Sequence, residues 1–398
     1  MADNVIIFGA GASVDAGIPT LSNFLKCMKT IVDRKSHDET SIDKSKLEIL
    51  EDAIKIRDEF GVYHKNANFD DNNIEDILSL LSFEKLAGNQ KADENYKKFV
   101  DAIALTIEIT NSVKYNYDEN YGKYDQNNLY NSFWIYYFDK FSTANLPAII
   151  TFNYDLVLEN SLLRYFFSEK FKETNKSRLN AFYIDYGFDK FKTKIFNINK
   201  GGNYGNNDFG TSDELGIKEI KDIKGIVAQK YFKLHGSLNF PTDYSNIPYL
   251  EIHKVHNSPL IMPPIFNKMN DKFPSEIWEN AIKELRSAKN IIIVGYSLPS
   301  TDIYMQYFFK SAFGASTALD KITIYNPTLL SDASISGEMK TRYSNCFSGQ
   351  LFSKIDFNPI LENQNLESIQ LEFKKGNKEY GTFLNFVNHL RQKKDLFF

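Results

Sequence analysis

Val5-Ile6-Ile7-Phe8-Gly9-Ala10-Gly11-Ala12-Ser13-Val14-Asp15-Ala16-Gly17-Ile18-Pro19-Thr20 opens with an apolar, β-branched run and passes at once into glycine, alanine and serine. The run reads as a buried strand. The small residues after it read as a loop whose backbone N–H groups can approach an anion, helped by the positive end of a following helix. A plain dinucleotide fingerprint calls for a third glycine at position 14, where this chain has Val14. Taken by itself, the loop points to a nucleotide and no further.

Similar apolar runs recur at residues 148–151, 231–234, 290–294 and 322–325. Each delivers a distinctive segment: Phe152-Asn153-Tyr154-Asp155, His235-Gly236-Ser237, Gly295-Tyr296-Ser297-Leu298-Pro299 and Asn326-Pro327. Short, nearly continuous apolar strands separated by helical stretches predict a parallel sheet covered on both faces. In such sheets ligands sit beyond the carboxyl ends of the strands. The expectation is an α/β fold, a Rossmann-like parallel sheet with helices on both faces, whose motif segments converge on one crevice.

Between the first two strands the pattern changes. Residues 46–60, 74–86 and 95–112 carry apolar side chains at three- and four-residue spacing, which predicts amphipathic helices. Asp71-Asn72-Asn73 before Ile74 supplies a helix start. The expected organisation is a Rossmann-like unit from residues 1–27 and 146–350, a helical insertion module over 28–145, and a C-terminal extension over 351–398 with a helix at 382–393. Within 179–227, Gly201-Gly202-Asn203-Tyr204-Gly205-Asn206-Asn207 reads as a loop between strand-like pieces.

The chain has 398 residues, 42% of them hydrophobic, enough for a sizeable core and two structural parts. A net charge of −4 gives no overall basic field, so direct nucleic-acid binding is not expected, nor is attraction to an anionic membrane. The two cysteines, Cys27 and Cys346, form no Cys-x-x-Cys pair, which fits a reducing cytoplasm and leaves no cysteine-based zinc site. No basic-then-apolar signal segment leads into the first strand, and no apolar run approaches the ~20 residues that span a bilayer. A soluble cytoplasmic protein is the expectation.

In this order, the segments resemble the sirtuin superfamily, specifically its bacterial sirtuin-like branch that cleaves NAD. Gly9-Ala10-Gly11-Ala12-Ser13 with Ala16-Gly17-Ile18-Pro19 is similar to the family's first NAD loop. Thr151-Phe152-Asn153-Tyr154-Asp155 resembles its Thr-Gln-Asn-x-Asp segment, with Phe152 in place of glutamine. Lys233-Leu234-His235-Gly236-Ser237 resembles the motif carrying the catalytic histidine. Gly295-Tyr296-Ser297-Leu298 is similar to Gly-Thr-Ser-Leu, and Asn326 to an asparagine near the adenosine ribose. The resemblance covers residues 3–27 and 146–328.

It implies NAD as substrate without a metal, with Asn153, His235 and Asp155 as catalytic residues. The implied NAD-binding residues are Gly9, Ala10, Gly11, Ser13, Ala16, Gly17, Ile18, Pro19, Thr20, Thr151, Gly236, Gly295, Ser297, Leu298 and Asn326. Sirtuin deacylases carry a cysteine zinc ribbon that this chain cannot build, and the helical insertion is foreign to them. Both departures favour an NAD+ glycohydrolase that releases nicotinamide and ADP-ribose, or a cyclic form. Members of this branch act in antiphage defence by depleting NAD. Such activity implies a closed resting state, a homo-oligomer, or a regulatory partner, for which the resemblance suggests a DNA-translocating ATPase or a short Argonaute. The alternatives are an NAD-dependent protein deacylase and a non-catalytic NAD or ADP-ribose sensor.

The residues themselves suit this chemistry. Cleaving the nicotinamide–ribose bond creates an oxocarbenium-like centre and needs dry, oriented polar groups with a positioned nucleophile. Glycosidases ordinarily use carboxylates for this. Asn153 can orient water or ribose hydroxyls without adding charge, and Asp155 can hold the nicotinamide amide or stabilise the cationic centre. His235, with an ordinary pKa near neutrality, can accept a proton. Glycine-loop amides and Ser13 are expected to cradle the pyrophosphate, Ser297 to bond a phosphate or ribose oxygen, and Asp15 to cap the helix. A serine-hydrolase reading of Ser297 suffers from Pro299, which stands where a nucleophile elbow needs glycine. His253 and His256 have no third ligand beside them and read as surface residues. The aromatic run from Phe133 to Phe138 reads as core or an interface, with Trp134 and Phe138 on one helical face.

Overall fold

Residues 5–8 point alternately to the two faces of whatever sheet they join, and all are buried. The strand must therefore lie inside the sheet with both faces covered. In the computed structural model, which describes residues 3–63, 66, 70–115, 128–166, 181–191, 193, 196–197, 226–245, 247, 249–263, 273–314, 318–330, 333–357 and 382–392, this is so. The strands are β1 (Asn4–Phe8), β2 (Ser36–His37), β3 (Thr40–Ser41), β4 (Ala148–Thr151), β5 (Ala181–Asp185), β6 (Phe196–Asn197), β7 (Ile226–Lys233), β8 (Gly236–Pro241), β9 (Pro259–Ile261), β10 (Asn290–Val294), β11 (Lys321–Tyr325) and β12 (Ile355–Phe357). Eight of them form one sheet in the order β12-β11-β10-β1-β4-β7-β5-β6. All neighbours run parallel except β6, which is antiparallel to β5. The fold is α/β and Rossmann-like. From β1 the chain moves towards β4 and β7, while β11 and β12 extend the sheet beyond β10, so the strand order reverses between β1 and β10.

Register makes the strand ends level. Phe8 is paired with Val294 and with Thr151, Thr151 with Lys233, and Val294 with Tyr325. The segments that follow therefore leave the sheet along a single edge. The common strand edge expected from sequence is present.

Helices α1 (Phe24–Arg34), α2 (Lys44–Tyr63), α3 (Ile74–Leu86) and α4 (Gln90–Thr110) stand between β1 and β4, with α3 and α2 packed on α4. The expected start at Asn73 is real, since its side chain accepts a bond from the Glu75 amide. Asn89 caps α4 in the same way. Helix α5 (Leu129–Lys140) falls in the same stretch of sequence but packs on α6 (Val157–Phe166). Its aromatic run is core: Trp134 donates to the Leu158 carbonyl, Trp134 and Phe138 stack, and Phe133 meets Phe8 edge-on at 5.9 Å. Helices α7 (Ser275–Ser287), α8 (Ile303–Phe313) and α9 (Ala333–Cys346) pack in succession. The last described helix, α10 (Thr382–Gln392), lies on α5, on residues 10–16 and on β10 and β11. Residues 355–357, placed by sequence in the C-terminal extension, are an edge strand of the sheet. The loop at 201–207 and Lys393 lie outside the described residues. No described helix is long and apolar enough to cross a membrane.

Gly337 sits inside α9, and a Cβ there would meet nothing within 4 Å. Gly337→Ala lowers the entropy of the unfolded chain without a clash, so it is expected to raise unfolding free energy by about 0.5–1 kcal/mol in urea titrations.

Candidate functional site

The turn after β1 and the turn after β10 touch backbone to backbone. Gly9 donates its amide to the Val294 carbonyl and Gly11 to the Gly295 carbonyl, both at 2.9 Å. A Cβ on Gly9 would lie 2.6 Å from the Gly295 oxygen, and one on Gly295 would lie 2.3 Å from the Ala12 nitrogen. Gly295 also has φ +69, so side chains are excluded there twice over. The glycines are required by this contact. The Gly9 and Gly11 amides, expected to face pyrophosphate, are already bonded to carbonyls, as is that of Ala12 to Gly9. The expected helix is also absent in its regular form, because residues 10–16 make a 3-10 turn that Gly17 ends.

Asn153 joins this turn to β4. Its Nδ2 donates to the Gly9 carbonyl and to Ser13 Oγ, each at 2.9 Å. Ser13 Oγ in turn donates to Asp155 Oδ2 at 2.7 Å. The chemistry leaves one orientation of the amide, since a carbonyl only accepts and the Ser13 proton is spent on Asp155. Both amide hydrogens of Asn153 are therefore engaged. Oδ1 remains as its acceptor, with no donor reaching it among the described residues. Asp155 is buried, and its Oδ1 accepts the Val157 amide at the start of α6. Here its carboxylate orients Ser13 and caps a helix. Ser13, expected to bond phosphate, is buried and faces Asp155.

His235 follows β7 by two residues. Gly236 has φ +84, and a Cβ on it would lie 2.1 Å from the Leu260 oxygen, so the sharp turn directly after the histidine needs glycine. The turn presses the buried imidazole against Phe152, with centroids 5.5 Å apart, and within 6.4 Å of Tyr154 and 6.3 Å of Trp278. His235 thus stands beside the residue that precedes Asn153. The structure brings the two segments together.

The remaining expected residues are spread around this centre. Ala10 is exposed on the turn, and Thr151 Oγ1 accepts the Asn153 amide. Ala16 accepts from Ser112 and so ties the turn to the end of α4. Ile18 and Pro19 are buried, and the Thr20 hydroxyl bonds Asn23. Ser297 offers its carbonyl to Arg342, and Leu298 is buried at φ +49. Asn326 Oδ1 accepts the Thr328 amide. Asp15 lies within the 3-10 turn, faces the Leu384 backbone of α10, and does not cap the turn, whose N-terminal residue Gly9 has no side-chain cap. His253 lies edge-on to Tyr115, and burial holds both His253 and His256 below the usual imidazole range. Among the described residues no group of three acidic, histidine or cysteine side chains is placed to hold a metal ion.

Sequence reasoning missed two polar pairs at the crevice. Tyr296, packed on Phe152 at 4.5 Å, donates its hydroxyl to Asp302 Oδ2 at 2.9 Å. Burial and the Asp302 charge push this phenol far up, so it stays a neutral donor. Thr301 reaches Glu75 of α3, and the charges of Asp302 and Glu75 add to burial in raising the Tyr154 phenol. The helical insertion therefore borders the strand-end crevice. The second pair is Lys233 and Glu159, directly beneath Asp155. An open groove of 660 Å³ between α1 and the β2–β3 hairpin, lined by Lys26, Cys27 and Arg34 among others, shares no residue with this centre. Comparison with protein-family models and with curated proteins finds no match to this chain.

Ser13→Ala strands an Asn153 N–H and the Asp155 carboxylate in a buried place. It is expected to cost about 1–3 kcal/mol of unfolding free energy. Val14→Ala, at a side chain 46% exposed, is expected to change it by less than about 0.5 kcal/mol in the same titration.

Proposed function

We propose that the chain is an NAD+ glycohydrolase of the sirtuin-like kind, cleaving the nicotinamide–ribose bond to give nicotinamide and ADP-ribose or a cyclic form. The observation that carries the reading is the level row of strand ends, which sets the Asn153 and His235 segments side by side against the glycine turn. The chemistry needs little more. Nicotinamide leaves as a neutral molecule, taking the bonding pair onto its ring nitrogen, so no acid has to protonate it. What the site must supply is a fixed acceptor for the attacking oxygen and shelter for the oxocarbenium-like centre.

Asn153 Oδ1 fills the first role, because its amide hydrogens are tied to Gly9 and Ser13 and the group cannot turn. His235 accepts the proton that the attacking water or ribose hydroxyl gives up. Phe152 and Tyr296 exclude water around it. Asp155 acts through Ser13. With the amides of Gly9, Gly11 and Ala12 committed, contacts to the diphosphate fall to the outward side of the turn, where Ala10 and Val14 are exposed. In this reading the chain is a cytoplasmic effector that depletes NAD in antiphage defence, acting as a homo-oligomer or under a regulatory partner such as a DNA-translocating ATPase or a short Argonaute.

Nicotinamide release from NAD by purified protein, measured chromatographically across protein concentration, tests the proposal. Asn153→Ala and His235→Ala are each expected to lower the rate by about 10²–10⁴-fold. Release that strictly requires an acyl-lysine peptide would make the protein a deacylase. Equal, negligible turnover by wild type and variants, with NAD still controlling assembly, would make it a sensor.

A further inference from the structure

We infer that Lys233 is a positioning residue of this site, clamping the Asn153–Asp155 segment through its buried ammonium; the inference rests on the glycohydrolase reading for its consequence in turnover. Lys233 ends β7, and neither its side chain nor that of Glu159 exposes any surface (0% each). The ammonium lies 2.7 Å from Glu159 Oε1 and donates to the main-chain carbonyl of Asp155 at 2.5 Å. Glu159 Oε2 accepts the Tyr231 hydroxyl at 3.4 Å. Burial holds the Glu159 carboxyl above its usual range, and the neighbouring ammonium offsets only part of that rise.

A buried ion pair is a poor choice for stability alone. Removing two charges from water costs as much as their attraction returns, and a packed apolar pair of similar volume holds a fold as well or better. The pair makes sense by what it grips. From the Asp155 carbonyl the contacts run through the same residue's carboxylate to Ser13, from Ser13 to the Asn153 amide, and from there to the Gly9 carbonyl. Lys233 also precedes His235 by two residues on the same strand end. One ammonium therefore fixes the asparagine segment relative to the histidine.

Lys233→Met alone leaves a buried, unpaired carboxylate and loses stability for that reason, so the informative protein is the double variant Lys233→Met/Glu159→Leu. It is expected to melt within a few degrees of wild type and well above Lys233→Met, since only the neutral Asp155 carbonyl and Tyr231 hydroxyl lose a partner. Its kcat for nicotinamide release is expected to fall about 10²-fold at an unchanged KM. Hydrogen–deuterium exchange of amides in residues 152–157 is expected to rise about tenfold. A double variant that turns over and exchanges like wild type, or one that does not fold, overturns the proposal. Should wild type itself release no nicotinamide, the glycohydrolase reading fails, and exchange alone decides: faster exchange upholds the clamp and unchanged exchange removes it.

Discussion

Two backbones in contact, the Gly9–Gly11 turn against Gly295, set the geometry of the whole crevice. Neither turn has room for a Cβ, and each supplies a hydrogen bond the other would otherwise lack. Because β1 and β10 are adjacent and in register, the contact has no freedom to slide. It lies where the strand order reverses, the place where an open α/β sheet offers a ligand its cleft. The glycines thus serve the approach of one loop to another, and the outward side of the turn is made by what those loops leave exposed.

On that base stands a chain of polar groups in which each member has one choice. The Gly9 carbonyl accepts, Asn153 donates twice, Ser13 accepts once and donates once, and Asp155 accepts from Ser13 and from the backbone of α6. Apart from Asn153 Oδ1, each group here has its partner, and such a network specifies one arrangement, since any other leaves a group unpaired away from water. The same logic holds one layer deeper at Lys233 and Glu159, and across the crevice at Tyr296 and Asp302. The candidate reacting centre is small. Its rigidity comes from the buried residues behind it.

Much of this was legible in the sequence. The apolar runs marked the central strands, and their abrupt ends in glycine, asparagine and histidine marked the edge where they meet. Asn73 announced a helix that begins where it should. The hidden parts share a physical cause, which is that they depend on pairing between distant residues. Lys233 and Glu159 are 74 positions apart, and nothing in either segment says that a lysine inside an apolar strand meets its partner under Asp155. Tyr296 read as a variant residue in a loop, and nothing in the sequence tied it to Asp302, which precedes α8 and turns its side chain to the phenol. Residues 355–357 and helix α5 were grouped by position along the chain, whereas the sheet and its aromatic layer decide where they pack. Ser13 and Asp155 were singled out separately, and the hydrogen bond that joins them in a buried place was not legible.

Helix α10 adds a condition in time. Phe383 stacks on Tyr130 at 4.5 Å, Tyr130 bonds the Ala12 carbonyl, and Phe383 and Phe386 both pack on Phe8. The underside of the Gly9–Gly11 turn is thus finished by a segment that lies far further along the chain. Contacts so far apart in sequence close late and slowly. A nascent chain on the ribosome carries every motif residue of the crevice before it carries the support beneath them, so the first turn gains its packing only once α10 has emerged.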